Sequence, residues 1–406
     1  MIDQRGGDSN ISSIIGVVLI FAILIGYSIF QSPTPEQIEA ARKQQDSIAV
    51  SAMDKQNIEQ AKAQDSISRG AGLEKQNPAA DFDSTIHQYD SKEHDEIMAR
   101  YGRFALSAAG TEKLFIIENE LIKLTLTNKG GRIKSVELKK YSTSDSLPLY
   151  LFNGDSNVFN LNFFSDNKNI ATNDLYFINS GGSFDVKGKN SNTLSMRLYA
   201  SEYDYLEYQY SLTGNSYVVG LKINFHGLQD VVSSNTNYLA LDWSVYGPRQ
   251  EKSLKNERIS STIYYRYYND EVDYLSETSD ETKDLKTKVK WVAFKQQFFS
   301  SILFAETSFF TPTSITTLSD VSTENQVKQF KAAFTIPFGH LRDESFAMSY
   351  YFGPNHYKTL KEFDMGFEKI IPLGWGIFGW MNQGLIIPVF NFLGRFISSY
   401  GIIILI

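Results

Sequence analysis

The chain has 406 residues, 42% of them apolar and 21% charged, enough to fold around a core. It holds no cysteine, which excludes disulfides, thiolate metal sites and a cysteine nucleophile. A net charge of −7 and a pI near 5.4 argue against nucleic acid as a partner, and five histidines leave little for metal or general-base chemistry.

Residues 1–10 precede Ile11–Phe30, a run of 20 residues without a charge. As a helix it rises ~30 Å, the thickness of a bilayer's hydrocarbon core. A buried core helix and a cleaved signal peptide compete with this reading. The run is longer than a signal peptide's apolar stretch, and Tyr27-Ser28-Ile29-Phe30-Gln31 makes a poor cleavage site. The reading adopted is an uncleaved transmembrane signal anchor over 11–30. Arg5 precedes it and the next basic residues are Arg42 and Lys43, which mildly favours a cytoplasmic N-terminus and an exported bulk.

Residues 31–103 read as a flexible, partly helical acidic linker. From 31 to 81 there is no aromatic residue, and from 31 to 100 there are 13 acidic and 8 basic residues, a net of −5. So few apolar anchors cannot order a chain. A coiled coil through Ile38, Ile48, Ile58 and Ile67 is the alternative, but the spacing holds no heptad.

Over 104–356 the hydrophobic period becomes two. Ile122, Leu124 and Leu126 alternate with polar residues, as do Leu206–Leu212, Val219–Phe225, Leu239–Val245, Ile263–Tyr267 and Phe346–Phe352. Asn153-Gly154, Gly181-Gly182 and Gly214-Asn215 are turn candidates. Many strands without regular intervening helices predict a mainly β fold, a large antiparallel sandwich with few helices. Over 357–372 the steps between Leu360, Phe363 and Phe367 predict a short connecting helix.

Residues 373–406 carry one charge, Arg395. Trp375 and Trp380 are placed as interfacial anchors. Phe378, Met381, Leu385, Val389, Phe392 and Phe396 recur at three or four, marking one helical face, with Asn382, Gln383, Asn391 and Arg395 elsewhere on the helix. Pro388 is expected to kink this helix or to start a new one. The reading over 373–400 is an amphipathic helix along a membrane interface; a core-facing helix is the alternative. Residues 401–406, with Ile402 to Ile406 wholly apolar, read as the start of a second transmembrane helix in a sequence that is part of a longer one.

No residue is assigned to catalysis, metal or cofactor binding. His87, His94, His226, His340 and His356 are scattered without ligand spacing, and no nucleophile-elbow, phosphate-loop or dinucleotide motif occurs. Tyr264-Tyr265-Arg266-Tyr267-Tyr268 could stack sugars or peptides, though at strand spacing it more often forms a core face and a Tyr-lined surface.

Three phrases carry a resemblance. Thr127-Asn128-Lys129-Gly130-Gly131-Arg132-Ile133, the run Lys290-Trp291-Val292-Ala293-Phe294-Lys295-Gln296-Gln297-Phe298-Phe299, and Tyr351-Phe352-Gly353-Pro354 followed by Leu373-Gly374-Trp375 resemble, in order, motifs of the YidC-type membrane protein insertases of Gram-negative bacteria. The resemblance implies a periplasmic β-supersandwich similar to sugar mutarotases, in an inner-membrane protein that is multi-pass at full length. It implies a role in inserting and folding inner-membrane proteins, alone or with the Sec translocon. The implied partners are nascent inner-membrane proteins, the translocon with its accessory subunits, and the lipid bilayer. The family's groove arginine lies in the second transmembrane helix, beyond Ile406, and Arg395 does not correspond to it. Two other readings stand beside this one: a membrane-anchored, mutarotase-like carbohydrate-binding or epimerase protein, which needs a histidine beside a carboxylate in a deep cleft, and a structural adaptor.

Overall fold

A computed structural model describes residues 91–406 except 307–309, 320–324, 375–376, 398–399 and 406. The expected anchor over 11–30, the linker up to residue 90, His87 and Trp375 lie outside the described residues. No helix among the described residues is long and apolar enough to cross a membrane.

The described chain opens with helix α1 (Ser91–Tyr101), within the segment expected as a partly helical linker. Tyr101 packs on the core, and Phe104, just beyond, is fully buried. The strands then follow in chain order. They are β1 (Leu114–Glu118), β2 (Ile122–Thr127), β3 (Arg132–Ser142), β4 (Pro148–Asn153), β5 (Val158–Ser165), β6 (Lys168–Ala171), β7 (Ile178–Ser180) and β8 (Phe184–Asp185). Next come β9 (Ser191–Tyr199), β10 (Tyr205–Thr213), β11 (Val218–His226) and β12 (Tyr238–Pro248). Helix α2 (Leu254–Ile259) precedes β13 (Thr262–Tyr267), β14 (Val272–Tyr274), β15 (Glu281–Asp284) and β16 (Val289–Lys295). The last are β17 (Phe299–Ala305), β18 (Thr311–Leu318), β19 (Gln326–Pro337) and β20 (Asp343–Pro354).

The expected mainly β, antiparallel architecture is the one observed. Three sheets form, in the orders β4-β3-β2-β1-β8, β14-β13-β16-β17-β20-β11-β10-β9-β7 and β15-β18-β19-β12-β5-β6. All the named pairs are antiparallel except β1 with β8. The alternating segments of the sequence, β2, β10, β11 and β12, send one face into a shared core and leave the other partly solvated. Aromatic rings join the layers: Trp243 stacks on Phe294 at 3.8 Å, and Phe152 meets Phe352 edge-on at 5.8 Å.

The Thr127-to-Gly131 phrase is the β2–β3 turn, and its residue types follow from its packing. Asn128 Oδ1 accepts the Lys113 N–H at 2.6 Å, and its amide donates to Thr111 O at 3.1 Å. Gly131 has φ +62°, and its carbonyl accepts the Tyr210 hydroxyl at 2.8 Å, tying the first sheet to β10. A Cβ there would lie 2.9 Å from the Phe177 ring. Left-handed strain and the clash together set the expected cost of Gly131→Ala at about 2 kcal/mol, read as a lowered urea midpoint with an unchanged m-value. An unshifted midpoint would contradict this reading of the turn.

Two helical expectations need correction. The connecting helix over 357–372 is not continuous: α3 (Tyr357–Lys361) makes little more than one turn, and a separate 3-10 turn forms at Phe367–Ile370. Asp364 (φ 53°) and Gly366 (φ 72°) occupy left-handed conformations between them, which no helix accommodates. The helix expected over 373–400 runs from α4 (Ile377–Met381) through a π segment (Asn382–Ile386) into α5 (Ile387–Leu393). Pro388 sits at the first turn of α5, where its missing N–H and its ring are accommodated by the widened turn before it. The chain continues into α6 (Tyr400–Leu405).

Candidate functional site: a docked segment and an exposed apolar helix

The strands β16, β17 and β20 lie side by side with β13 in the nine-stranded sheet, and both their faces are buried. One face joins the main core. The other carries Tyr264, Trp291, Ala293, Ile302, Phe304 and Tyr351, covered by residues 357–371. Leu360 and Phe367, named from the sequence, are fully buried there with Ile370, and Phe363 packs half-buried beside them. The Phe367 ring lies 5.5 Å from both Trp291 and Phe304 and 5.2 Å from Phe363.

Polar contacts fix the register of this cover. Trp291 Nε1 and Arg266 Nη1 both donate to Met365 O, at 2.8 and 2.9 Å. Asn355 closes the start of the segment: its N–H donates to Phe298 O at 2.7 Å, its amide to Gln296 O at 3.0 Å, and its Oδ1 accepts the Ser300 hydroxyl at 2.6 Å. Trp291, Gln296 and Phe298 belong to a phrase that carries the resemblance and Arg266 to the Tyr-rich stretch, but none was given this role from the sequence, and Asn355 was not singled out. A signal was present, because Trp291-Val292-Ala293-Phe294 is an uninterrupted apolar run, as a strand covered on both faces requires.

Beyond Ile371 the chain turns through Gly374 (φ +86°) into α4. Asn382 Nδ2 donates back to Leu373 O at 2.8 Å, and the Gln383 amide donates to the Tyr357 hydroxyl. The helix therefore starts beside the base of the docked segment. Its apolar side chains have little cover: Phe378 is 67% exposed, Trp380 74%, Phe392 59% and Phe396 75%. Leu385 and Val389 are exposed as well, Met381 is half-buried, and Arg395 is exposed. Trp380 and Ile386 widen the apolar surface beyond the single stripe expected from the spacing; the π segment shifts the phase of the helix by about one residue. In α6, Ile402, Ile404 and Leu405 are exposed and Ile403 is buried. An exposed apolar surface on this scale is uncommon on a soluble domain.

Among the described residues the histidines form no comparable constellation. His226 pairs with Asp343 and stacks on Tyr205 at 5.0 Å, at the partly exposed end of β11. The His340 ring faces the carbonyls of Gln229 and Thr236. Where the three sheets meet, a recess lined by Phe152, Phe159, Trp243, Tyr350 and Phe352 encloses only about 10 Å³, room for one water. Of the Tyr-rich stretch, Tyr264 and Tyr265 are buried and Tyr268 is exposed, so it is mainly a core face. Burial pushes the phenols of Tyr264 and Tyr351 up.

The molecule is thus a mainly β, antiparallel domain whose outer sheet carries a docked segment leading into an exposed apolar helix. Residues 115–387 match the profile of the YidC periplasmic domain, and the chain belongs to that family. It is similar to membrane protein insertase YidC of Parabacteroides distasonis, with 36% identity across 97% of this chain and 61% of that protein. It is also similar to membrane protein insertase YidC of Bacteroides fragilis, with 32% identity across 97% of this chain and 60% of that one. The chain therefore spans about three-fifths of the length of the curated relatives it matches. Among solved structures it is similar to an active YidC insertase, with 12% identity, a TM-score of 0.33, and coverage of 73% of this chain and 53% of that one. A galactose mutarotase-like protein from Lactobacillus casei gives 11% identity and a TM-score of 0.36, covering 59% of this chain and 100% of that one.

Proposed function

We propose that this chain is the anchored, periplasmic portion of an inner-membrane protein insertase and chaperone, and that it acts without catalysing a covalent reaction. The observation that carries the reading is the exposed helix over 377–396, held by a docked segment against a β domain of the YidC family. The helix lies in the interface, with Phe378, Trp380, Leu385, Val389, Phe392 and Phe396 toward lipid and Arg395 at the headgroups. Leu360, Phe363 and Phe367 couple the helix to the sheet. The β domain stands in the periplasm, the clients are nascent inner-membrane proteins, and the Sec translocon with its accessory subunits is the partner for part of that work.

Depleting the protein should impair insertion of small inner-membrane proteins. Undisturbed insertion would leave the structural-adaptor reading in place instead. The interfacial placement has its own test. A chain without residues 1–30 should float with vesicles, and Phe392→Asp or Phe396→Asp should each weaken that association by about 2 kcal/mol, roughly 30-fold. Equal flotation of the variants and the parent would refute the placement.

A further inference from the structure

The end of the β domain beside the interfacial helix is held together by a chain of hydrogen bonds. The β3–β4 turn is joined to the segment after β12 by the Ser144 N–H, which donates to Gln250 O at 2.8 Å. Gln250 Nε2 donates to Gln296 Oε1 at 3.2 Å, and Gln296 Nε2 donates to Pro248 O at 2.8 Å, adding the β16–β17 turn. Asn355 links that turn to the start of α3, whose Tyr357 meets Gln383 of the interfacial helix. Three turns therefore share one end of the domain with the apolar helix.

Two of these turns each expose one apolar side chain at the tip, Leu147 at 60% and Phe298 at 51%. Around them the charge runs against that of the chain. Lys140, Lys252 and Lys255 are exposed and make no ion pair among the described residues. Arg249 is exposed and donates to the backbone carbonyls of Glu251 and Lys252, at 3.0 and 2.6 Å, and its charge also acts on the buried Glu257 carboxyl. Exposed Asp145 and half-buried Glu251 lie in the same turns, so four basic residues meet two acidic ones, a local excess of positive charge in a chain of net charge −7.

We propose that this end of the β domain is a second lipid-contact surface, selective for anionic bilayers. Phe298 and Leu147 enter the headgroup region, while Lys140, Arg249, Lys252 and Lys255 engage lipid phosphates. The proposal rests on the interfacial reading of α4 and α5 and extends that contact from the helix to the sandwich. Charge sign and continuity with the helix both favour an anionic lipid surface over a protein partner. Separate apolar tips among lysines suit a fluid, negatively charged plane, whereas a protein partner is better matched by a shaped groove.

The absence of cysteine from the chain allows single labels without background. The variants L147C, F298C, F392C and Y238C, each carrying an environment-sensitive fluorophore, are reconstituted in two kinds of vesicle. One contains phosphatidylglycerol with phosphatidylethanolamine; the other contains phosphatidylcholine alone. Tyr238 is 59% exposed at the start of β12, an 11-residue strand whose other end lies in the basic cluster, so it reports the far end of the domain. All four sites are exposed, and far-ultraviolet circular dichroism confirms folding. In anionic vesicles the labels at 147, 298 and 392 are expected to shift to the blue and be quenched by headgroup-level nitroxide lipids, while the label at 238 stays as in water. In phosphatidylcholine the 147 and 298 signals should fall toward that of 238. The combined K140E, K252E and K255E substitutions should do the same in anionic vesicles and leave 392 unchanged. A quenched label at 392 with 147 and 298 matching 238 would assign the tips to a protein partner or to water and overturn the proposal. Quenching at 147 and 298 that ignores both lipid charge and the lysine substitutions would overturn it as well. A label at 392 that also stays in water would bring down the interfacial reading itself, and this proposal with it.

Discussion

Phe367→Ala is expected to release residues 357–371 from the sheet while the sandwich beneath stays folded. Phe367 is fully buried among Trp291, Phe304, Phe363 and Tyr351, and these contacts belong to an outer cluster distinct from the main core. Truncating a buried phenylalanine costs ~3–5 kcal/mol, because the cavity adds to the lost transfer energy. The cost here falls on a short segment held by few other groups, chiefly Leu360, Ile370 and the two hydrogen bonds to Met365 O. The docked state should therefore be lost locally before the sheets unfold. Lys358, Lys361 and Lys369 are exposed on the segment and serve as tryptic reporters. Cleavage after them should accelerate by about 100-fold, with Phe367→Leu retaining most of the protection. An unchanged cleavage rate with a lowered global midpoint would show that the segment and the sandwich unfold as one body. Under the proposed function, the same substitution should impair client insertion without detaching the apolar helix from lipid.

How readily each part of the fold could be read from the sequence depended on which faces meet water. β2, with Ile122, Leu124 and Leu126 buried and Lys123 and Thr125 half-exposed, shows its period because one side is partly solvated. β16 and β17 conceal theirs, since an outer cover removes the polar alternation. That cover was itself misread as one helix. Leu360, Phe363 and Phe367 fit a helical stripe, but the buried surface they need is supplied by the sheet, and the chain reverses between them at Asp364 and Gly366. Spacing reports which residues seek burial; it does not report the path taken between them. The apolar helix was legible because its composition has few other uses, and its π segment was foreshadowed only by Pro388. The hydrogen bonds of Asn355, Arg266 and Trp291 to backbone carbonyls had no sequence signature, since any carbonyl offers the same acceptor.

Glu257 was equally silent in the sequence and carries a large expected pH effect near neutrality. It lies on α2, capped by Ser253, with its carboxylate fully buried. Both oxygens accept the Gln250 N–H at 3.1 Å, and one also accepts the Glu251 N–H at 3.1 Å. Burial is the dominant influence and pushes the carboxyl from an ordinary 4.5 up to about 7. The two backbone donors and Arg249 pull it down, and the charge of Glu251 adds to the rise. The folded protein thus holds this proton more tightly than the unfolded chain. The stabilisation is fully present below pH 4.5 and is lost as pH rises through about 7. Across that window the single group should remove about 3 kcal/mol of stability. Glu257→Gln keeps an oxygen to accept both N–H groups and carries no titrating charge. Urea unfolding measured across the window should therefore show the parent losing stability relative to the variant by about that amount as pH rises. Parallel curves would mean that Glu257 is already ionised in the fold, and that the backbone donors outweigh its burial. The location gives the effect a local consequence, because Gln250, the residue held by Glu257, also bonds Ser144 and Gln296. Ionisation at neutral pH should loosen the junction of the three turns beside the apolar helix, and amide exchange at Gln250 and Glu251 should quicken with pH more steeply in the parent than in Glu257→Gln.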